Sequence, residues 1–146
     1  MRVYSKSALL VCSVASSLYI SIHAPSAGVC EFAGTSTFSP AVATLTAAHV
    51  GTCDLIPVGS TVRRCSSVTD ADGESRCVGD WVVTTAPTCI GQVKEILQVR
   101  NSPASREKCA DVVLLEQYRV AEGADKYGLP KLRPSGWVAI SAQVCI

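Results

Sequence analysis

Two polar residues of the chain, His49 and Asp111, have neighbours that would hold them rigidly. His49 ends the run LTAAH, in which Ala47 and Ala48 allow the backbone to pack closely. Asp111 begins the run DVVLL, whose apolar residues would anchor it in a core. A catalytic histidine needs a rigid backbone and an acceptor for one ring N–H, which a buried aspartate supplies. Taken singly, a structural histidine and a loop-end aspartate that caps backbone N–H groups are the simpler interpretations.

The stretches around these two residues resemble the first half of a trypsin-like, chymotrypsin-fold serine protease. Residues 34–49 (GTSTFSPAVATLTAAH) are similar to the strand, turn and strand that lead to the TAAH motif of that family. Residues 93–103 (VKEILQVRNSP) resemble the stretch before its aspartate loop, and residues 111–115 (DVVLL) resemble its DIALL motif. The order of histidine before aspartate is also that of chymotrypsin, the worked example of the triad.

The resemblance implies a role for each residue. His49 is the expected general base, which takes the hydroxyl proton and returns it to the leaving group, and Asp111 is expected to orient its ring. The nucleophile is missing, because no GDSGG-like motif occurs and Ser135 in PSGW matches that motif poorly. The family's second barrel carries the nucleophile and the oxyanion hole. We therefore expect this chain to be inactive alone, acting on a peptide or protein substrate only if a second barrel is supplied.

Two other classes of function remain open on the residues. The first is a non-catalytic secreted binding protein that kept half of a protease fold, which the absent nucleophile favours. The second is an unrelated disulfide-rich secreted module such as an inhibitor, in which His49 and Asp111 would lie far apart.

The first 28 residues have the pattern of a secretory signal peptide. Arg2 and Lys6 give a positive start, residues 8–22 (ALLVCSVASSLYISI) are mostly apolar, and small residues follow in HAPSAG. Cleavage is expected near Ala27 or Gly28, which leaves residues 29–146 as the mature domain. We expect a secreted, extracellular protein that is not held in a membrane after cleavage, because no other stretch is long and apolar enough to span one.

The cysteine content also favours export. Of the 8 cysteines, Cys12 lies in the signal peptide and seven remain, which in a secreted chain indicates disulfides. The resemblance implies a histidine-loop disulfide between Cys30 and Cys53. Zinc is disfavoured because the chain has no CxxC pair and the mature part retains only His49, so neither a metal nor a cofactor is expected. The acidic run TDADGES could bind calcium, although a solvated turn is the preferred interpretation.

Length and composition predict one mostly β domain. The chain has 146 residues, a net charge of +1, 17% charged residues and no basic stripe, so nucleic acid is not an expected partner. We predict strands within residues 35–38, 43–47, 55–62, 80–85 and 137–144, a strand or helix over 92–99, a polar loop over 65–77, a loop over 101–108 and coil over 126–136. The predicted fold is a single antiparallel β-barrel, resembling the first barrel of a chymotrypsin-like protease, with a cysteine-rich insertion between His49 and Asp111.

Overall fold

The computed structural model describes residues 2–3, 28–34, 37–51, 53–85, 88–100 and 108–142. Most of the predicted signal peptide and of the predicted loop over 101–108 lies outside the described residues. The strands are β1 (Arg2–Val3), β2 (Cys30–Phe32), β3 (Ser39–Pro40), β4 (Thr61–Thr69), β5 (Ser75–Cys77), β6 (Trp81–Thr85), β7 (Thr88–Val99), β8 (Val112–Ala124) and β9 (Pro130–Ser141). A short 3-10 helix (Ala41–Ala43) and the helix α1 (Leu45–His49) precede β4.

All the strands belong to one antiparallel sheet, which confirms the mostly β prediction. Strand β7 is central, because β4 and β6 pair along it and β8 pairs with it as well. Strand β9 pairs with β8 and, within the described residues, with no other strand. The sheet therefore keeps an open edge and does not close, so the prediction of a β-barrel was wrong.

The predicted cysteine-rich insertion was also wrong. The segment between His49 and Asp111 supplies β4, β5, β6 and β7, which form the middle of the sheet. The predicted polar loop over residues 65–77 is instead the second half of β4, a tight turn and β5. In that turn the buried carboxylate of Asp70 accepts the backbone N–H groups of Asp72 and Glu74 and pairs with Arg76 at 2.6 Å. The acidic run TDADGES is thus held by the guanidinium group of Arg76.

The sheet has apolar residues on both faces. The inner face carries the larger core, with buried side chains from β2, β4 and β6 to β9: Cys30, Cys65, Val68, Val82, Val93, Ile96, Val113, Leu115 and Ile140. The outer face carries a smaller core of Val62, Leu97, Val99 and Val112. Ala41, Leu55 and Ile56 pack against this smaller core, so the segment that contains α1 covers only part of the outer face. Within the described residues, no helix is long and apolar enough to cross a membrane.

Two local predictions differ from the structure for identifiable reasons. Residues 45–49 form a helix rather than a strand, because the side chain of Thr44 caps the helix by accepting the N–H of Ala47 at 3.1 Å. Most of the predicted coil over residues 126–136 belongs to β9, where Pro130 and Pro134 are tolerated because the strand lies at the edge of the sheet. The predicted strand over residues 80–85 agrees with β6.

Strands β8 and β9 continue beyond the sheet as a two-stranded arm. After Tyr118, which is opposite Ile90, β8 pairs only with β9 in the described chain. The arm ends in a turn in which the carboxylate of Asp125 accepts the N–H groups of Tyr127 and Leu129.

Candidate functional site

A row of four side chains crosses the end of the outer face that the segment containing α1 leaves uncovered. Trp81 on β6 is opposite Gln92 on β7, Gln92 is opposite Glu116 on β8, and Glu116 is opposite Trp137 on β9. Residues that are opposite each other in an antiparallel sheet point to the same face, so the four side chains share one face. That face is the outer one, because the adjacent residues Val82, Val93 and Leu115 are fully buried on the inner side. The four residues of the row are each half-buried.

Further side chains complete this region, which we call the aromatic patch. It consists of His49, Trp81, Gln92, Lys94, Glu116, Tyr118 and Trp137. Two pairs of rings are in contact. The imidazole of His49 stacks on the indole of Trp137 with centroids 3.7 Å apart and planes at 11°, and Trp81 contacts Tyr118 at 4.6 Å with planes at 59°.

Glu95 determines where His49 lies. Its carboxylate, 4% exposed, accepts the backbone N–H groups of Leu45 and Thr46 at 3.3 and 2.9 Å, and the hydroxyl of Thr46 at 2.9 Å. These donors belong to the first turn of α1, whose N–H groups have no partner within the helix. Arg64 lies 3.3 Å from the same carboxylate. The helix is therefore fixed at its first turn to β7, and its last residue, His49, extends over β9.

A β-bulge in β7 explains why the side chains of Lys94 and Glu95 both lie on the outer face. The register shifts between Val93 and Glu95, which leaves Lys94 as the extra residue of the bulged strand. Without the shift, two consecutive residues would point to opposite faces of the sheet. With it, Glu95 binds α1, while the ammonium group of Lys94 reaches Glu116 at 3.1 Å.

Glu116 is the electrostatic centre of the aromatic patch. Partial burial tends to raise its pKa, but the hydrogen bond from the Tyr118 hydroxyl at 2.9 Å and the hydrogen bond and charge of Lys94 outweigh that effect. The pKa of Glu116 therefore lies below its ordinary value, and the positive form of His49 contributes to this lowering. Burial, together with the bond to Glu116, raises the pKa of Tyr118. The carboxylate is thus held in its ionised form.

Asp111 lies elsewhere. Its carboxylate is buried and accepts the backbone N–H of Val99 at 2.8 Å, while its own backbone bonds to Leu97 and Ala142. Glu116 lies five positions after Asp111 along the extended chain, which corresponds to about 16 Å. The carboxylate close to His49 is that of Glu116, so the structure does not bring His49 and Asp111 together. Asp111 instead joins the start of β8 to the ends of β7 and β9.

Sequence reasoning missed most of the aromatic patch. Of its residues, only His49 was predicted from the sequence to belong to a functional site. The row depends on the register of four strands, which no short motif encodes. In the described part of the chain, no group of three or more His, Cys, Asp or Glu side chains is placed to hold a metal ion.

These features define the chain as an open antiparallel sheet protein. Aromatic and charged side chains lie on the part of its outer face that no other described segment covers. It belongs to the family described as Domain of unknown function (DUF8590), whose sequence model matches residues 28–146. No curated protein and no solved structure matches the chain. The match is to this family and not to a protease family, so the identification as a trypsin-like serine protease relative was wrong.

Proposed function

We propose that this protein is an exported, non-catalytic binding protein that takes a protein partner at the aromatic patch. The observation that carries the proposal is the row of Trp81, Gln92, Glu116 and Trp137 across four strands of the outer face. The Cα atoms at its ends are about 14 Å apart, three strand spacings. Tryptophan and tyrosine are enriched among the residues that dominate protein interfaces, where a polar rim surrounds them.

The ring contacts favour a protein partner over a sugar chain. A sugar stacks flat on the open face of an aromatic ring, but one face of Trp137 already lies against His49. Trp81 is likewise in contact with Tyr118. The half-buried rings expose their edges and parts of their faces. Such surfaces suit the irregular apolar side chains of a protein. Lys94 and Glu116, with side chains 30% and 17% exposed, supply charge beside them.

The chain offers a direct probe, because both of its tryptophans belong to the aromatic patch. Protein labelled with fluorotryptophan should give two fluorine NMR signals, which Trp81→Phe and Trp137→Phe assign. Extracellular proteins from the source cells would be fractionated and added to it. We expect one protein fraction to shift or broaden both signals, and protease treatment of that fraction to abolish the effect.

The variants test whether the aromatic patch itself binds. Trp137→Ala should weaken binding of the purified partner by roughly thirtyfold, the loss typical of an interface hot spot. Tyr127→Ala, which removes an aromatic ring 74% exposed on the distant arm, should leave binding within about threefold. Equal affinities for wild type and Trp137→Ala, or a response only to protease-resistant glycan, would refute the proposal.

Export needs its own test. When the full chain is expressed in a secreting host, the protein in the medium should begin near residue 28, as read by N-terminal sequencing. Leu10→Arg interrupts the apolar run and should retain the protein inside the cell, whereas Ser5→Ala should not. Recovery in the medium of a protein that still begins at Met1 would contradict the signal-peptide prediction.

A further inference from the structure

Cys30 and Cys65 lie in the same inner core, and both are free thiols in the structure. Cys30 begins β2 and Cys65 lies in β4, the strand that pairs with β2. The pairing contains a bulge, with Cys30 opposite Val68 but Phe32 opposite Cys65. The bulge makes Cys65 and Val68, three positions apart, face the same core. The two cysteines are only 5% and 2% exposed, and each thiol shifts the pKa of the other.

The pKa values of the two thiols are shifted in opposite directions. The thiol hydrogen that Cys65 donates lowers the pKa of Cys30, and the nearby charge of Arg63 adds to this effect against the opposing influence of burial. The pKa of Cys65 is raised, first by that hydrogen bond and then by burial. A lowered thiol pKa increases the thiolate fraction, which is the nucleophile in disulfide exchange. Cys30 is thus the better attacking group.

Strand β2 needs an attachment of this kind. It has three residues, and it would begin within a few positions of the new N-terminus if the signal peptide is removed near residue 28. Short terminal segments are poorly ordered unless they are fixed to the fold. A cleft of about 450 Å³ beside β4, lined in part by Arg64, Cys65 and Lys94, brings this region close to solvent.

We propose that Cys30 and Cys65 are joined as a disulfide during oxidative folding, a bridge that fastens β2 to β4. Oxidised glutathione is a sufficient oxidant. The Cys30 thiolate attacks one of its sulfurs, the glutathione S–S bond breaks, and one glutathione thiolate leaves. The Cys65 thiolate then attacks the Cys30 sulfur of the mixed disulfide and releases the second glutathione. Two protein thiols are oxidised, and one glutathione disulfide is reduced to two thiols. This pairing replaces the expected bridge between Cys30 and Cys53.

Peptide mapping of the full chain tests the bridge. The chain is refolded in a glutathione buffer and then unfolded in urea, where iodoacetamide blocks every free thiol. The protein is cut without reduction by trypsin and chymotrypsin. Arg64 and Arg76 bracket Cys65, while Tyr19 and Phe32 bracket Cys30, so each cysteine falls in a separate peptide. We expect a linked pair of peptides that contains Cys30 and Cys65 and that reduction separates.

Variants distinguish a specific bridge from random oxidation. Cys30→Ser should leave Cys65 alkylated, and Cys77→Ser, which changes an exposed cysteine, should preserve the link. Loss of the bridge should lower the Tm by about 10 °C, because it closes a long loop of the unfolded chain. Recovery of Cys30 and Cys65 from folded, oxidised wild type as alkylated residues, or linked to other cysteines, overturns the proposal even if the variants do not fold.

Discussion

The imidazole of His49 lies flat against the indole of Trp137, with ring centroids 3.7 Å apart. This contact attaches the last residue of α1 to β9, while Glu95 attaches the first turn of the helix to β7. The helix is therefore held at both ends against the outer face. In this arrangement the ring of His49 packs against β9.

Replacing His49 tests this packing role. His49→Ala should lower the free energy of unfolding by about 0.5–1 kcal/mol, the value of an aromatic pair at a solvent-exposed position. His49→Phe should retain most of it, because a phenyl ring can stack on Trp137 in the same way. Urea denaturation provides the measurement, with Tyr127→Ala as the control on the arm. Equal losses in His49→Ala and His49→Phe would contradict a stacking role.

We expect Glu95 to contribute more to the stability of the fold than any other residue that contacts α1. Glu95→Gln leaves one acceptor oxygen where two now serve, so we expect a loss of about 1.5–3 kcal/mol, typical of hydrogen bonds to a charged group. The first turn of α1 should fray, and the fluorescence of Trp137 should change as His49 moves away. Glu31→Gln, at an exposed strand position, is the matched control. Unchanged stability would show that the carboxylate does not hold the helix.

Asp111 should stabilise the fold independently of His49. Asp111→Ala leaves the buried N–H of Val99 without its acceptor, at a cost of about 1.5–3 kcal/mol, and Asp111→Asn should cost less because its amide oxygen can accept. Asp54→Ala at an exposed turn should have little effect. The NMR signals of the His49 imidazole should not move in Asp111→Asn. A clear shift would show that the two residues interact.

The stability of the fold should depend on pH through Glu116 and Tyr118. The pKa of Glu116 is lowered by folding, so its contribution is present above the ordinary value of 4.5 and is lost as the pH falls through the lowered pKa. The pKa of Tyr118 is raised, so its contribution is present below 10 and is lost as the pH rises through the raised pKa.

Urea midpoints measured across pH check both effects. Glu116→Gln should flatten the acid limb, and Tyr118→Phe should flatten the alkaline limb while also weakening the acid one, because it removes a donor to Glu116. Glu122→Gln, an exposed carboxyl group on the arm, should leave both limbs unchanged. An acid limb that persists in Glu116→Gln would assign the dependence to another group.

Local patterns predicted local structure better than they predicted the site. The alternating run DWVVTT gave β6, and the apolar run after Asp111 correctly indicated a buried segment. The simpler interpretation of Asp111, an aspartate that accepts backbone N–H groups, agrees with its bond from the N–H of Val99. That bond, and the bond between Glu95 and the helix, join residues 12 and 49 positions apart, so they depend on strand register. The strand predicted over residues 43–47 is absent, because Thr44 caps the helix α1 there.

The arm formed by β8 and β9 beyond Tyr118 has a practical consequence. Its strands have no other neighbours in the described sheet, and its turn exposes Tyr127 and Leu129 at 74% and 58%. Its amide hydrogens should exchange with solvent well before those of β7, because the arm supplies no residue to either core cluster. The turn after Asp125 is therefore where an affinity tag or a fluorescent protein can be inserted while both cores stay intact.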